Sequence, residues 1–159
     1  MKQWLFSLLL LLCAATTAQA QFKSETKYVG ASLTGLGISY NGSERFKFGL
    51  QAEAGYFIAD YWMVRANVTF DHAKAYDNIA LGVGGRYYFQ QNGIFLGAGA
   101  EYAHFSPNYN DLRIPVEVGY TFYLNHYLAI EPALYYKMSL NDFSDHSTVG
   151  LRIGLGYYF

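Results

Sequence analysis

Seven charged residues recur along this sequence at intervals of 12 to 21 residues. Four are acids and three are bases, so their types favour mutual pairing in salt bridges. A path for protons or ions is the alternative that such residues leave open. No glycine-rich phosphate loop and no pair of carboxylates with catalytic spacing accompanies them. The seven residues are Glu53, Arg65, Arg86, Glu101, Glu117, Glu131 and Arg152.

Alternation of apolar and polar residues with a period of two predicts the elements that carry these charges. Clusters of turn-forming residues divide the sequence after position 26 into eight such segments of 11 to 14 residues. A strand in a soluble protein usually has about 5 or 6 residues, whereas a tilted strand that crosses a bilayer needs about 9 to 11. The segment length therefore favours membrane-spanning strands. Their predicted ranges are 27–40, 45–58, 61–73, 79–89, 94–105, 112–124, 127–139 and 148–159.

The two faces of each predicted strand differ in chemistry. On the third strand, Trp62, Val64 and Val68 share one face, and Arg65 and Asn67 share the other. In a transmembrane barrel the apolar face meets lipid and the polar face lines the lumen. We therefore predict an all-β fold, an eight-stranded antiparallel up-and-down transmembrane β-barrel, with the seven charges inside. The apolar parity changes within the first strand, which predicts a β-bulge near Gly35.

A barrel of eight strands has an interior just wide enough for side chains to fill. Charges there must be paired, because an isolated buried charge is very costly. Glu53 and Arg65 lie at matching distances from one predicted hairpin turn, and we expect this pair first. We predict that Arg65 is the centre of the network and reaches Glu101 or Glu131 across the lumen. Lys47, Arg113 and Lys137 are expected nearer the outer mouth, and the other large inward residues are Tyr28, Met63, Tyr88, Tyr123 and Tyr135.

The first twenty residues have the pattern of a cleaved signal peptide. Lys2 is followed by an apolar run from 4 to 15, and Ala18 and Ala20 form a small-x-small cleavage site. We predict a signal peptide over 1–20 and a barrel domain over 21–159, with 21–26 a short polar lead-in. An uncleaved membrane anchor is the alternative, but the run is short for a spanning helix. A lipoprotein signal at Cys13 is a second alternative, although Leu12 is not the small residue that such a signal requires.

The composition excludes several classes of protein. Without residues 1–20 the chain keeps ten basic and twelve acidic residues, so no basic surface for nucleic acid is expected. The single cysteine lies in the predicted signal peptide, so the mature chain can form no disulfide. Tyrosine and phenylalanine are abundant, with 16 and 12 residues. Abundant aromatic residues with moderate hydropathy fit a sheet with one face in lipid.

The last nine residues alternate up to the final aromatic residue. Arg152, Gly154, Tyr157 and Phe159 match the polar-x-Gly-x-x-hydrophobic-x-aromatic pattern that ends many outer-membrane barrels. In this respect residues 27–159 resemble the small outer-membrane β-barrel domain family of eight-stranded OmpX- and OmpA-type barrels. The resemblance implies a Gram-negative outer-membrane location and insertion by the assembly machinery that recognises the last strand. It also implies contact with outer-membrane lipid and lipopolysaccharide.

Aromatic residues are predicted to form two outward girdles. Ordinary preference of strands for aromatic residues is the alternative explanation. The girdle near the chain termini would contain Tyr56, Trp62, Tyr87, Phe89, Tyr120, Phe122, Tyr157 and Phe159, and the other Tyr40, Phe46, Phe70, Tyr102 and Tyr136.

The four histidines are expected to be exposed near the barrel ends, and no metal-ligand spacing recurs among them. His72, His104 and His146 would lie at the outer mouth and His126 in a turn at the opposite end. His104-Phe105-Ser106 looks like the His-x-Ser element of outer-membrane lipid A 3-O-deacylases. It lies earlier in the barrel than in that family, and the outward partners expected on the next strand are apolar.

We therefore expect a non-catalytic outer-membrane barrel with a filled lumen and a structural or surface-contact role in the cell envelope. We expect a monomer without cofactor or metal and without affinity for nucleic acid. Two alternatives stay open, a barrel that binds or transports small hydrophobic ligands and a lipid A-modifying enzyme.

Overall fold

The computed structural model describes residues 22–34, 48–73, 76–90, 92–105, 109–141 and 147–159. Most of these residues lie in strands, and no helix in these ranges is long and apolar enough to span a membrane. The strands are β1 (Lys27–Thr34), β2 (Phe48–Ala59), β3 (Trp62–Ala73), β4 (Tyr76–Tyr88), β5 (Ile94–Phe105), β6 (Tyr109–Tyr120), β7 (Phe122–Tyr123), β8 (Leu128–Ser139) and β9 (Thr148–Tyr158).

The strands form one closed antiparallel sheet. Consecutive strands are paired from β1 to β6, and β1 also pairs with β9, where Ala31 lies opposite Leu155. Both β6 and β7 pair with β8, so together they form one stave of the barrel. Within the described ranges the barrel therefore has eight staves. The predicted all-β, eight-stranded antiparallel barrel is confirmed. Where the structure describes the predicted strand ends, they shift by up to three residues; β4, for example, begins at Tyr76 rather than 79. The predicted end of the first strand at position 40 lies outside the described residues.

Several predicted features lie outside the described residues. These are the signal peptide with its cleavage site at Ala18 and Ala20, the bulge near Gly35, and the position of Lys47. The division into a signal peptide over 1–20 and a barrel domain over 21–159 stays a prediction.

Burial alternates along the strands in the sense opposite to that of a soluble protein. On β9, Leu151, Ile153 and Leu155 are each about half exposed, whereas Arg152 is 2% exposed. Lys, Glu and Arg are almost never fully buried in soluble proteins unless they are paired. Apolar side chains outside and charged side chains inside are what a lipid solvent requires, because hydrocarbon cannot hydrate a charge.

Two prolines interrupt the hydrogen-bond ladder on the two sides of the β6–β7 stave. Alternate residue pairs of an antiparallel ladder exchange hydrogen bonds. In this alternation, position 115 is the donor to the Gly99 carbonyl and position 132 the donor to the Tyr120 carbonyl. Both positions are occupied by proline, which has no N–H to donate. Pairing is missing at both places, between Ala98↔Val116 and Glu101↔Arg113 and again between β6 and β7. Pro132 therefore explains why this stave divides into two strands.

The contact between β4 and β5 is unusually close at one glycine pair. Gly84 and Gly99 lie directly opposite each other. A Cβ atom added to Gly84 would lie 2.5 Å from the Ala98 carbonyl oxygen and 2.9 Å from Gly99 Cα. Only hydrogen fits in that space, so the sequence needs glycine at these two positions for the strands to approach.

Substitution of Gly84 tests this close approach. We expect Gly84→Ala to lower the free energy of unfolding in lipid vesicles by about 1 to 3 kcal/mol, because backbone atoms must move apart. The adjacent Gly85→Ala is the matched control, since its Cβ would meet only the Met63 carbonyl oxygen at 3.8 Å. The control should change stability by no more than about 0.5 kcal/mol. Equal urea midpoints for the two variants would contradict the close contact.

Candidate functional site

The middle of the lumen is filled by three guanidinium groups and three carboxylates. Six staves each contribute one inward side chain, and each of these residues is at most 8% exposed. The period of two along every strand places these residues on the inner face. Equal numbers of positive and negative groups make the layer neutral. We call it the waist cluster, and its members are Glu53, Arg65, Arg86, Glu117, Glu131 and Arg152.

Arg86 is the hub of the waist cluster. Its guanidinium lies 3.0 Å from Glu131 Oε2, 3.0 Å from Glu117 Oε1 and 3.4 Å from Glu53 Oε1. It is fully buried, and its Cζ lies 4.3 Å from the centre of the Phe95 ring. One cation therefore links all three carboxylates of the layer. The prediction that Arg65 is the centre is wrong.

Arg65 has a smaller set of partners. Its Nη1 donates to Glu53 Oε2 at 2.7 Å, which is the pair expected across the hairpin, and its Nη2 lies 2.9 Å from Glu117 Oε1. The predicted contact with Glu101 or Glu131 is wrong, because Glu117 is the carboxylate that Arg65 meets across the lumen. Strand tilt and stagger set the heights of facing residues in a barrel, and counting from turns does not give that stagger.

Arg152 joins the same two carboxylates from the last strand. Its Nη1 lies 3.4 Å from Glu53 Oε1, and its Nη2 lies 3.0 Å from Glu117 Oε2. The second contact is a charge pair without hydrogen-bond geometry, so the Arg152 Nη2 and Nε donors lack hydrogen-bond acceptors. Glu53 and Glu117 therefore each face three guanidinium groups.

Glu101 does not join the waist cluster. Both of its carboxylate oxygens accept from Lys137 Nζ at 2.9 Å. Arg113 Nε donates to Asp111 Oδ2 at 2.9 Å in a separate buried pair. These pairs form a second polar layer, farther from the chain termini than the waist cluster. The structure thus brings together six of the seven residues that the sequence groups.

A small polar space separates the waist cluster from the Glu101–Lys137 pair. Gln51, Asn67 and Tyr135 contribute to its lining, and about 20 Å³ of it is open to a water-sized molecule. That is enough for about one water molecule. The space is far smaller than a ligand pocket of a few hundred Å³.

An aromatic layer fills the lumen on the other side of the waist cluster, at the end where the chain termini lie. The aromatic layer comprises the buried residues Phe22, Tyr28, Phe57, Met63, Tyr88, Phe95 and Tyr158, with Tyr61 and Tyr123 partly buried against them. The sequence predicted four of its members on the inner face, Tyr28, Met63, Tyr88 and Tyr123. The prediction from the sequence missed Phe22, which it assigned to a polar lead-in, and it did not name Phe57 or Phe95. It placed Tyr158 on the inner face of the last strand without counting it among the large residues that fill the lumen. Strand parity could have identified Phe57 and Phe95 as well, whereas Phe22 precedes β1 and no periodicity predicts its position.

Tyrosine hydroxyls join the aromatic layer to the waist cluster. The Tyr28 hydroxyl lies 2.8 Å from Glu53 Oε1 and 2.9 Å from Glu131 Oε2, and it can donate its one proton to either carboxylate. Tyr158 donates to Glu131 Oε1. The Tyr88 hydroxyl lies 3.1 Å from that of Tyr158 and accepts from Arg86 at 3.1 Å. The buried Glu131 carboxylate therefore accepts from a cation, Arg86, and from a neutral donor, Tyr158, while Tyr28 lies between Glu131 and Glu53. A buried polar group needs such partners to avoid a desolvation cost.

The outward His-x-Ser element is only partly described. His104 is exposed, and its Nδ1 lies 2.6 Å from the Asn110 amide oxygen. A carboxylate that would orient a catalytic histidine does not take that position, and Ser106 and His146 lie outside the described residues. Within the described ranges no group of three or more His, Cys, Asp and Glu residues could hold a metal ion. His126 is exposed in the turn before β8.

Aromatic side chains meet one another on the outer surface near the chain termini. The rings of Trp62 and Tyr87 lie 4.8 Å apart, and that of Tyr157 lies 5.7 Å from Phe159. Tyr157 and Phe159 face outward, while Arg152 and Gly154 of the same C-terminal pattern face the lumen. Of the predicted girdle, Tyr87, Tyr120 and Phe122 are half-buried rather than exposed. Packing against a neighbouring ring accounts for this burial at Tyr87.

Apolar side chains on the outer face, charged side chains in the lumen and an aromatic belt are together typical of transmembrane β-barrels. The family model for the outer membrane protein β-barrel domain matches residues 5–159. The chain belongs to this family. It is accordingly an outer-membrane protein of a Gram-negative bacterium, as its C-terminal pattern predicted. A search of curated protein sequences finds no match.

Several solved outer-membrane barrels have the same fold as this chain at low sequence identity. The N-terminal β-barrel domain of OprF from Pseudomonas aeruginosa is 14% identical with a TM-score of 0.67, and the match covers 86% of this chain and 98% of that one. Neisserial surface protein A is 15% identical with a TM-score of 0.65, covering 84% and 97%. Ail from Yersinia pestis is 13% identical with a TM-score of 0.56, covering 86% and 100%.

The central position of Arg86 leads to a ranking of variants. We expect Arg86→Met to lower the free energy of unfolding by about 3 to 5 kcal/mol, because a buried carboxylate then loses its cation. Arg65→Met should cost less, since Glu53 and Glu117 still face Arg86 and Arg152. Adding Glu131→Gln to Arg86→Met should recover part of the loss. The measurement is urea unfolding in lipid vesicles.

Lys27→Met is the control for this series. Lys27 is an exposed cation outside the lumen, so its loss should change stability by no more than about 0.5 kcal/mol. A larger loss from Arg65→Met than from Arg86→Met would show that Arg65 is the hub after all.

Proposed function

We propose that this outer-membrane barrel is a non-catalytic protein with a structural or surface-contact role, whose lumen is sealed by side chains. The observation that carries the proposal is the continuity of the two layers in the middle of the lumen. The neutral waist cluster lies directly on the aromatic layer, and hydroxyls of Tyr28 and Tyr158 bond the two together. A conducting pore would need a water-filled path in place of these contacts.

The chemistry of the lumen also argues against solute transfer through it. Charges that bind a passing ion must be free to exchange partners, whereas each waist carboxylate lies within 3.4 Å of an arginine nitrogen. The polar space beside the cluster holds about one water molecule, which is too small for a hydrophobic ligand. These contacts favour a rigid wall over the alternative of a transport barrel.

The apolar outer face of the barrel wall supports membrane lipid as a partner of the protein. Val68, Leu81 and Tyr102 lie along an apolar depression of about 720 Å³ on the outer face, where hydrocarbon chains of the membrane would lie. We propose that the partners of the protein are outer-membrane lipid and lipopolysaccharide around the wall, and the outer-membrane assembly machinery during insertion. We further propose that it works as a monomer without a cofactor and does not bind nucleic acid.

The permeability of the folded protein tests the proposal. We expect planar bilayers containing it to show no large, steady, porin-like conductance, because the waist cluster and the aromatic layer fill the lumen. A general porin inserted under the same conditions is the positive control, and a protein-free bilayer sets the baseline. Reproducible porin-like openings would overturn the sealed lumen.

The lipid A profile tests the enzyme alternative. We expect mass spectrometry of lipid A to show identical acylation in cells with the protein, in cells without it and in cells with His104→Ala. The reason is that His104 meets an amide rather than a carboxylate. Loss of an acyl chain that depends on both the protein and His104 would replace the structural role with catalysis.

A further inference from the structure

The residues before β1 form a strap across the end of the barrel where the chain termini lie. This N-terminal strap comprises residues 22–26. Its backbone is bonded along its length: the Phe22 carbonyl accepts from Tyr61 N at 2.8 Å, and Glu25 N donates to the Phe57 carbonyl at 2.9 Å. Ser24 N donates to the Asp60 carboxylate at 2.8 Å. A polar lead-in without a binding place on the barrel would not make these bonds.

The strap places one aromatic ring inside the lumen. Phe22 is only 5% exposed, and its ring stacks on that of Tyr88 with centroids 4.2 Å apart. Tyr158 meets it edge-on at 6.1 Å, and the Tyr123 ring lies at 5.8 Å. Stacked and edge-to-face rings at these distances attract beyond their buried area. We call these surrounding rings, with that of Phe57, the aromatic cage.

The backbone is strained where the strap is held. Glu25 and Tyr61 have φ angles of 72° and 69°, the positive values found for non-glycine residues among the described ranges. Both residues donate one of the backbone bonds that hold the strap. Bulky residues adopt this conformation at a cost and keep it only where surrounding contacts require it. The strain therefore marks the strap as a specifically bound element.

Apart from Phe22, the strap is held by bonds to its backbone, including the one from Phe57 N to the Thr26 carbonyl at 2.9 Å, rather than by buried side chains. Lys23, Ser24 and Glu25 are exposed, and of these three none belongs to the buried cluster that contains Phe22. Segments with few buried apolar contacts open locally at lower free energy than the whole fold. The cage, in contrast, consists of side chains on or beside strands that are paired within the barrel wall, so the tyrosines of the cage do not depend on the strap for their backbone bonds.

We propose that the N-terminal strap is a detachable plug at this end of the barrel, with Phe22 as its stopper, and that the aromatic cage is a binding site for a single aromatic ring. The inference rests on the sealed lumen proposed above and names the element that completes the seal. In the closed protein the occupant is Phe22 itself. When the strap withdraws, a free aromatic molecule such as benzene or indole can take its place, because the stacked and edge-to-face contacts that hold the Phe22 ring require only another ring.

A thiol inside the cage region reports on the plug. Met63 is 1% exposed and belongs to the same buried cluster as Phe22, so Met63→Cys places a reactive group behind the stopper. The only native cysteine, Cys13, is changed to Ser in every variant. The rate of modification by a membrane-impermeant maleimide is then measured on the folded protein in detergent, with a heat-modifiable gel band as the check on folding.

Three variants in this background separate the plug from general loosening. Phe22→Ala should speed labelling by at least about tenfold, since the opening no longer has to remove a buried ring. Asp60→Ala removes the acceptor of Ser24 N without touching the lumen and should give an intermediate rate. Phe89→Ala removes an exposed ring at the same end on the outer face and should label as slowly as the parent.

Indole tests the ring specificity of the cage. Added to Phe22→Ala, it should slow labelling back toward the parent rate, while an aliphatic alcohol of similar size should not. Equal labelling of Phe22→Ala and Phe89→Ala would overturn the plug, and equal protection by the alcohol would overturn the aromatic site. If Phe22→Ala gives no folded band, the test is the labelling rate of Asp60→Ala. A rate equal to that of the parent would then reject the plug. Fast labelling of the parent itself would instead reject the sealed lumen.

Discussion

The Arg86 guanidinium determines how the interior of this barrel is organised. An eight-stave barrel leaves room for side chains but not for bulk water, so every charge inside needs a partner. Arg86 is fully buried and contacts Glu53, Glu117 and Glu131 at once. Arg65 and Arg152 neutralise the charge that remains on Glu53 and Glu117. The other polar layer follows the same rule with Glu101 and Lys137, so neutrality is achieved layer by layer.

The two sides of the waist cluster are filled by different chemistry. Toward the chain termini the lumen is closed by aromatic rings, and tyrosine hydroxyls connect these rings to Glu131. On the other side the filling is polar, with the Glu101–Lys137 and Asp111–Arg113 pairs. Aromatic rings exclude water because they bury a large apolar area. A charged group stays buried away from water only when its partner of opposite charge is also present. The aromatic layer therefore closes this end of the lumen, and Phe22 of the strap at residues 22–26 is part of that closure.

The wall itself is uniform except at one stave. A bilayer offers no water to satisfy a free backbone group, so a closed ladder is the general solution. Pro115 and Pro132 interrupt that ladder on both sides of β6 and β7. Gly84 and Gly99 bring β4 and β5 unusually close on the other side of β5. The barrel thus combines a close strand contact with two interrupted pairings within four neighbouring staves.

The sequence by itself determined the fold class, the strand faces and the inward position of all seven charges, because a period of two depends only on local alternation. The C-terminal pattern likewise identified the family. The matching distances from one hairpin turn also predicted the Glu53–Arg65 pair. Only the tertiary structure decided the other charge contacts: strand stagger brings Arg65 to Glu117, makes Arg86 the hub and leaves Glu101 with Lys137. It alone placed Phe22 in the lumen, since this residue precedes β1 and its position depends on bonds to Tyr61 and on the rings of distant strands. Periodicity describes a strand, whereas these contacts depend on how eight strands close.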